Sequence, residues 1–278
     1  MNNKSLIGLI ILICLFFASF IGSFIRPYNP LGFSMPNQPP NDEHPLGTDG
    51  FGRDVLSQIF IGTISSFQIG FTAALISTIL GTFIGFFAGY IGGYFDSFLK
   101  GLTDIFLVIP MLPVLVVISA VFKNIDIWTM SLIIAAWAWA SPARNIRAQT
   151  LTLKERDFIV IAKLSGLSDK RIVVEEIMPH MISWIIGCFV NNTLRAILME
   201  ASLELLGLGP KTIPTLGMMI YWAMSRQAMY KGLWWWWSSP IVLLIISFNA
   251  LILLHSGISE ISNPRLRRGA KSFVRETS

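Results

Sequence analysis

The chain has 278 residues, of which 53% are hydrophobic and only 13% charged, and its formal net charge is +5. Soluble domains carry about 25% charged residues, so this composition argues against a soluble protein and for one that sits in a lipid bilayer. The positive charge lies beside apolar stretches rather than in aromatic-interleaved basic patches, which argues against nucleic-acid binding. Cys14 and Cys188 both lie in apolar stretches, so neither a disulfide framework nor a cysteine metal site is expected.

The first apolar stretch, residues 5–25, contains no charged residue. A spanning helix needs about 20 apolar residues, and this stretch exceeds the roughly 7 to 15 apolar residues of a signal peptide. No A-x-A-like cleavage site follows it, so we expect a retained spanning helix. Residues 26–51 then form a connection in which prolines exclude regular helix; they stand at positions 27, 30, 36, 39, 40 and 45.

Part of this connection, HPLGTDGFGRD, holds one histidine and several charged residues, among them His44, Asp49 and Asp54. They fit no metal-ligand spacing, and we expect neither a metal nor a catalytic site. A structural role is expected instead, in which Arg53 pairs with a neighbouring aspartate. The turn itself would be made by three glycines, Gly47, Gly50 and Gly52.

Five further apolar stretches predict spans, giving six in all. They cover residues 55–95, 105–122, 127–143, 181–206 and 234–254. Pro110 and Pro113 are expected to kink the third span. Residues 207–233 contain no apolar run long enough to cross a bilayer, and they are expected to be re-entrant or interfacial. The four consecutive tryptophans at 234–237 are typical of an interfacial aromatic belt.

The distribution of lysine and arginine predicts the orientation. If the N-terminus is inside, the inside segments hold fourteen of these residues and the outside segments six. Both termini and the long segment between spans four and five are therefore expected to face the cytoplasm.

That segment reads DFIVIAKLSGLSDKRIVVEEIMPH from position 157 and is unusually charged for this chain. Helical spacing of apolar residues predicts a helix over residues 155–165, ended by Gly166. Ser168 or Asp169 can cap a second helix, which we expect Pro179 to halt. A reversal of direction needs only a few residues, so this helix–turn–helix is interpreted as a projecting element that docks on a partner.

Three charged residues, Arg195, Glu200 and Glu204, fall in or at the end of the fifth span. Charged groups at this depth usually face a cavity or a partner. We expect them to mark a translocation-path face near its outer end. A structural pairing with a partner subunit is the alternative.

Four motifs, in collinear order, carry a resemblance that covers nearly the whole chain. HPLGTDGFGRDVLSQ, KERDFIVIAKLSGLSDKRI, EASLELLGLGPKTIPTLGMMI and NPRLRR are similar to segments of ATP-binding-cassette importer permeases of the dipeptide, oligopeptide and nickel family. Gly166 and Pro179 stand where the coupling-loop pattern of that family requires. Val160, Ile161, Glu176 and Met178 depart from that pattern, and Glu204 replaces the usual serine.

The resemblance implies an all-α integral membrane protein with about six transmembrane helices and the type I importer fold. It implies an N-terminal helix and connection at 1–58, a five-helix core at 59–262 and a basic cytoplasmic tail at 263–278. The core would contain a cytoplasmic coupling loop at about 150–180 and a re-entrant segment at 207–233. The residues implied in ATPase coupling are Asp157, Phe158, Ala162, Leu164, Gly166, Ser168, Asp169, Arg171 and Pro179.

The implied partners are a homologous second permease, two ATPases that bind ATP and magnesium, an extracytoplasmic solute-binding protein and the bilayer. The permease itself would have no catalytic residue and no cofactor. Peptides are the expected substrate, with nickel or a metallophore as the alternative. A stand-alone secondary transporter or channel would need internal repeats or paired broken helices, and a membrane enzyme would need a nucleophile–base pair; the sequence presents neither.

Overall fold

A computed structural model describes residues 3–29, 34–122, 124–168 and 171–262. Within these ranges the chain is helical, without a β-strand, and residues 34–54 form turns as the prolines predict. The helices are α1 (Asn3–Ile25), α2 (Val55–Ile91), α3 (Gly93–Val108), α4 (Met111–Val121), α5 (Ile127–Ala138), α6 (Ala140–Lys154), α7 (Asp157–Leu164), a π-helical segment (Ile172–Ile177), α8 (Met178–Leu205), α9 (Leu216–Ser225) and α10 (Trp234–Ser262).

Four helices of the described residues are long and apolar enough to cross a membrane: α1, α2, α8 with its π-helical start, and α10. A fifth candidate is the pair α3 and α4, which bends by 84° at its break. Pro110 caps α4 at this break, which confirms the predicted disruption of that span. The predicted fourth span is the short helix α5, which continues after Trp139 as the polar helix α6. Length and composition thus support four or five spans here rather than six.

Helix α2 forms the centre of the bundle and packs against α5, α6 and α8. Its 37 residues extend about 55 Å, so it is longer than a bilayer's hydrocarbon core of about 30 Å. The α2–α6 contact depends on glycine: a Cβ at Gly81 would lie 2.6 Å from the Trp139 carbonyl oxygen, and one at Gly89 2.8 Å from Thr150 Cβ. Small residues of this kind allow close helix packing in membranes. The polar helix α6 is therefore held firmly on α2.

The predicted halt at Pro179 is wrong, because the π-helical segment runs directly into α8. Pro179 lies in the first turn of α8, where a missing backbone N–H costs little. The Met178 N–H donates to the Val173 carbonyl, the wider spacing of a π-helix. The second helix of the charged segment and the predicted fifth span consequently form one continuous rod.

The N-terminal connection is fastened to the start of α10 by two of the four tryptophans. Trp235 and Trp236 are buried, and Trp235 Nε1 donates to the Thr48 carbonyl oxygen at 3.2 Å. Only Trp234 is largely exposed. The aromatic-belt interpretation therefore fails for Trp235 and Trp236, which form part of the core.

The predicted boundary between 58 and 59 lies inside α2, which begins at Val55. The domain division as a whole stays a prediction, and its basic tail at 263–278 lies outside the described residues. Helix α9 has 10 residues, too few to cross a bilayer. It packs against α2, α8 and α10, and the re-entrant course of residues 207–233 stays a prediction.

Candidate functional site

The charged segment folds as a projecting knob, made of α7, the turn after it and the π-helical segment. Gly166 ends α7 with φ +77°, a conformation that glycine adopts without steric cost. The Gly166 N–H donates to the Lys163 carbonyl and the Leu167 N–H to the Ala162 carbonyl, which satisfies the last carbonyls of the helix. The predicted role of Gly166 as the helix terminator is confirmed, whereas Asp169 lies outside the described residues.

The inner side of the knob is an apolar cluster that joins it to α6 and α8. Six buried residues form it: Ile146, Ile159, Ala162, Ile172, Ile177 and Met181. Phe158 is half-buried and stacks on His180, with ring centroids 5.2 Å apart. These buried apolar contacts pack the knob tightly onto the two helices beneath it.

The outer side of α7 presents apolar side chains without a partner among the described residues. Leu164 is 84% exposed, Ile161 61% and Val160 49%. Val160 and Ile161 were not among the predicted contact residues, yet they belong to this surface. Apolar residues occur on every side of α7, so helical spacing cannot indicate which of them face outward.

The remaining predicted coupling residues divide between the two sides. Ala162 is buried in the inner cluster, so it supports the knob rather than contacting anything outside it. Asp157, Gly166, Ser168, Arg171 and Pro179 are exposed. Arg171 donates to Glu175 at 3.0 Å, an exposed pair one helical turn apart that adds little stability.

Asp96 and Arg147 connect the knob's base to the bent pair of helices. Arg147 on α6 donates to both carboxylate oxygens of Asp96 on α3, at 2.5 and 2.6 Å. A second ion pair, between Arg144 and Asp104, spans the same two helices at 2.6 Å. Such bidentate pairs fix relative orientation as well as distance.

The fold does not bring the three charged residues of α8 together. Glu200 and Glu204 are completely buried, whereas Arg195 is exposed on another side of the helix. Among the described residues Arg195 has no hydrogen bond or ion pair. Glu200 and Glu204, four positions apart, share one side of α8, whereas Arg195, five positions from 200 and nine from 204, lies on another side. The translocation-path role of the three residues stays a prediction.

The two glutamates join α8 to α2 and to the start of α9. Glu200 accepts a hydrogen bond from Ser66 Oγ at 2.7 Å, and Ser66 in turn accepts one from the Leu216 N–H. Glu204 accepts from Thr215 Oγ1 at 2.7 Å and from the Met218 N–H at 3.1 Å. A carboxylate at the N-terminus of a helix is favourable for both hydrogen bonding and the helix dipole. These contacts give the glutamates a structural role within this chain.

Asp49 organises the turn of the N-terminal connection. It is fully buried and accepts hydrogen bonds from Arg53 Nε at 2.7 Å, from the Arg53 and Phe51 N–H groups and from Gln58 Nε2. The predicted pairing of Arg53 with an aspartate is confirmed. Gly47 and Gly52 adopt positive φ in this turn. His44 contacts Asp54, which caps α2 through the Ser57 N–H, so these residues hold the connection on α2.

Two polar cavities lie at opposite ends of α8. The cavity at the knob end measures about 330 Å³ and is lined by α6, α8 and α10. The cavity at the other end measures about 410 Å³ and is lined by the α4–α5 connection and residues 207–212. Asp126 lines the second cavity, and hydrogen bonds from the side chain and backbone N–H of Thr129 hold the pKa of its carboxyl below the usual value. A larger cavity of about 580 Å³ between α1, α2, α8 and α10 is almost wholly apolar.

A family profile and the individual relatives both identify membrane components of transport systems. The profile of the family described as binding-protein-dependent transport system inner membrane component matches residues 81–268. The chain is 31% identical over 273 residues to the oligopeptide transport system permease protein OppC of Lactococcus lactis subsp. lactis, covering 95% of this chain and 91% of the relative. It is 29% identical over 270 residues to the dipeptide transport system permease protein DppC of Bacillus subtilis, covering 96% of this chain and 83% of that protein.

A solved structure of the MetNI methionine ABC transporter, titled for its inward-facing conformations, resembles the fold. The match has a TM-score of 0.56 and 15% identity, and it covers 74% of this chain and 95% of the solved chain. At this identity the likeness concerns the fold alone, and it agrees with the type I importer fold predicted from the sequence.

Proposed function

We propose that this chain forms half of a path that carries peptides across the membrane. It belongs to the family of binding-protein-dependent transport system inner membrane components, which are the permease subunits of ATP-binding-cassette importers. The relatives named above are oligopeptide and dipeptide permeases, which favours peptides over nickel or a metallophore. Membership of this family also argues against a stand-alone transporter or channel.

The knob supports the proposed contact with an ATPase. Its outer side exposes three large apolar side chains, Val160, Ile161 and Leu164, and exposed apolar patches of this kind mark interaction surfaces. Its inner side is joined to α6 and α8 by buried contacts. A push on the knob would therefore turn α8 rather than bend a loop, which is what energy coupling requires.

The proposed assembly contains two permeases, two ATPases and an extracytoplasmic solute-binding protein. ATP and magnesium would bind to the ATPases, and this subunit would need no cofactor of its own. The knob and both termini would face the cytoplasm, in agreement with the excess of lysine and arginine in those segments. ATP-driven closure of the ATPases would move the knob and open the path outward.

Substitution in the outer side of the knob tests the proposal. The double change Ile161→Asp and Leu164→Asp should release the ATPase when the complex is purified in detergent, because charges replace the apolar contact. Peptide uptake into proteoliposomes containing the full assembly should be lost with it. Thr152→Asp introduces one such charge at an exposed position on α6 and should change neither measurement. Retention of the ATPase with normal uptake in the double variant would refute the coupling role.

A further inference from the structure

Arg195 lies well inside α8, a helix that is long and apolar enough to cross a membrane. Helix α8 has 28 residues, and Arg195 is ten residues from its end at Leu205, about 15 Å along the helix axis. The opposite end is about 25 Å away, and the hydrocarbon core of a bilayer is about 30 Å thick. Charged side chains there face the interior of a bundle, a water-filled cavity or a partner of opposite charge.

Nothing in the described part of the chain neutralises this charge. Arg195 is exposed and forms no ion pair or hydrogen bond with any described residue. The buried glutamates of the same helix point to α2 and α9, where their bonds are made. The described residues therefore provide no partner for the Arg195 guanidinium.

Arg195 belongs to a polar stripe along α8, in which residues three, four or seven apart share one side of the helix. The stripe, here called the polar face, consists of Trp184, Cys188, Asn191, Arg195 and Ser202, and Leu198 is the apolar residue within it. Membrane helices that pack on one another mostly use small residues at the contact. Large polar groups in the middle of this face are better suited to a solute than to a second helix.

The polar face lines one of the two cavities and runs towards the end of α8 after which the other lies. Trp184, Cys188 and Asn191 line the cavity of about 330 Å³ at the knob end. Gly207 and Leu208, directly after α8, line the cavity of about 410 Å³ at the other end. Asn145 and Gln149 add two further amides to the cavity at the knob end. A solute moving between the cavities along this face of α8 would pass Arg195.

We propose that Arg195 binds the C-terminal carboxylate of the transported peptide, an inference that rests on the function proposed above. The planar guanidinium donates two parallel hydrogen bonds to a carboxylate. Side-chain amides such as Asn191 match the donors and acceptors of peptide bonds. Every linear peptide has this carboxylate whatever its side chains, so Arg195 recognises peptides without selecting their sequence. Nickel alone offers the guanidinium no acceptor.

Equilibrium dialysis of labelled trialanine and trialanine amide against the detergent-solubilised complex of permeases and ATPases tests this. The solute-binding protein is omitted, so its own selectivity does not enter the result. The unaltered complex should bind trialanine about tenfold more tightly than the amide, a modest value for a charged hydrogen bond. Arg195→Gln should abolish that preference, and Arg195→Lys should keep part of it. Arg226→Gln, at an exposed arginine that stacks on Phe51, should leave the preference unchanged.

Three results would overturn the inference: absence of the preference in the unaltered complex, its persistence in Arg195→Gln, or loss of the second permease from that variant. The last would show that Arg195 pairs with the neighbouring subunit. Peptide uptake by the unaltered transporter, with its solute-binding protein present, distinguishes failure of the Arg195 role from failure of the proposed function. Uptake without a carboxylate preference refutes only the role of Arg195, whereas absence of peptide uptake refutes the proposed function as well.

Discussion

Arg195, Glu200 and Glu204 show how much the environment of a charged residue depends on its angular position. All three lie on α8 within three helical turns, yet two are buried between helices and one is exposed. One oxygen of each glutamate, Oε2 of Glu200 and Oε1 of Glu204, lacks a donor among the described residues. Two negative charges buried without a cation would be costly. The hydrogen bonds of the pair to Ser66, Thr215 and Met218 support a structural link within this chain, whereas the exposed Arg195 carries the functional role proposed above.

Substitution of Glu204 tests the structural role at this scale. Glu204→Ala should destabilise the protein by about 1–3 kcal/mol, because the buried Thr215 hydroxyl and Met218 N–H lose their acceptor. Glu204→Gln keeps one oxygen for these donors and should remain close to the unaltered protein. The midpoint of thermal unfolding of the detergent-solubilised complex measures both effects. Ser238→Ala, at an exposed hydroxyl, serves as the control, and equal losses in the Ala and Gln variants would contradict this role.

At the scale of elements, the knob is connected to the membrane spans by helices that are separate segments of the sequence. Helix α6 supports the knob from below, packs on α2 and is tied to α3 by two ion pairs. The π-helical segment continues into α8 without a break. A displacement of the knob would therefore reach α8 through the rod and the bent pair α3–α4 through α6.

The Asp96–Arg147 pair is expected to transmit part of that displacement. Asp96→Asn or Arg147→Gln should lower peptide uptake several-fold at an unchanged ATPase rate, because the α3–α6 contact weakens by about 1–2 kcal/mol. Exchanging the two residues, as Asp96→Arg with Arg147→Asp, should restore part of the uptake. Uptake and ATP hydrolysis measured in the same proteoliposomes give the coupling ratio.

The neighbouring pair Arg144–Asp104 provides a matched control. Its side chains are 55% and 41% exposed, against 23% and 16% for Arg147 and Asp96. An exposed pair contributes only about 0–1 kcal/mol, so Asp104→Asn should have little effect. Equal losses from Asp104→Asn and Asp96→Asn would mean that burial of the pair does not matter for coupling.

At the scale of the whole molecule, the knob and the N-terminal connection lie at opposite ends of the spans. The connection precedes the start of α2, and the knob packs against α6 and the start of α8. The large apolar cavity lies between α1, α2, α8 and α10. The lysine and arginine bias then predicts which end faces the cytoplasm.

Reporter fusions test this orientation. Alkaline phosphatase fused after Asp42 should be active, because it requires an extracytoplasmic location, and the same enzyme fused after Gly166 should be inactive. Green fluorescent protein at these two positions should give the reverse pattern. An active phosphatase after Gly166 would place the knob outside and exclude contact with a cytoplasmic ATPase.

The amino-acid sequence by itself determined the features that depend on local chemistry. Apolar length located the four long membrane helices α1, α2, α8 and α10, the prolines defined the connection, and Gly166 set the end of α7. Arg53 was correctly expected to pair with an aspartate because only a few residues separate it from Asp49. The collinear motifs indicated the family, which the comparisons confirm.

Only the tertiary structure decided which side of each helix is buried. Apolar residues surround α7, so the outward position of Val160 and Ile161 follows from the cluster beneath the knob. Pro179 continues a helix because a π-helical turn precedes it, a long-range consequence of how the segment packs. Trp235 and Trp236 are core residues because the N-terminal connection folds over them. Burial is a property of the assembled bundle, and no local pattern in the sequence encodes which neighbour a side chain will meet.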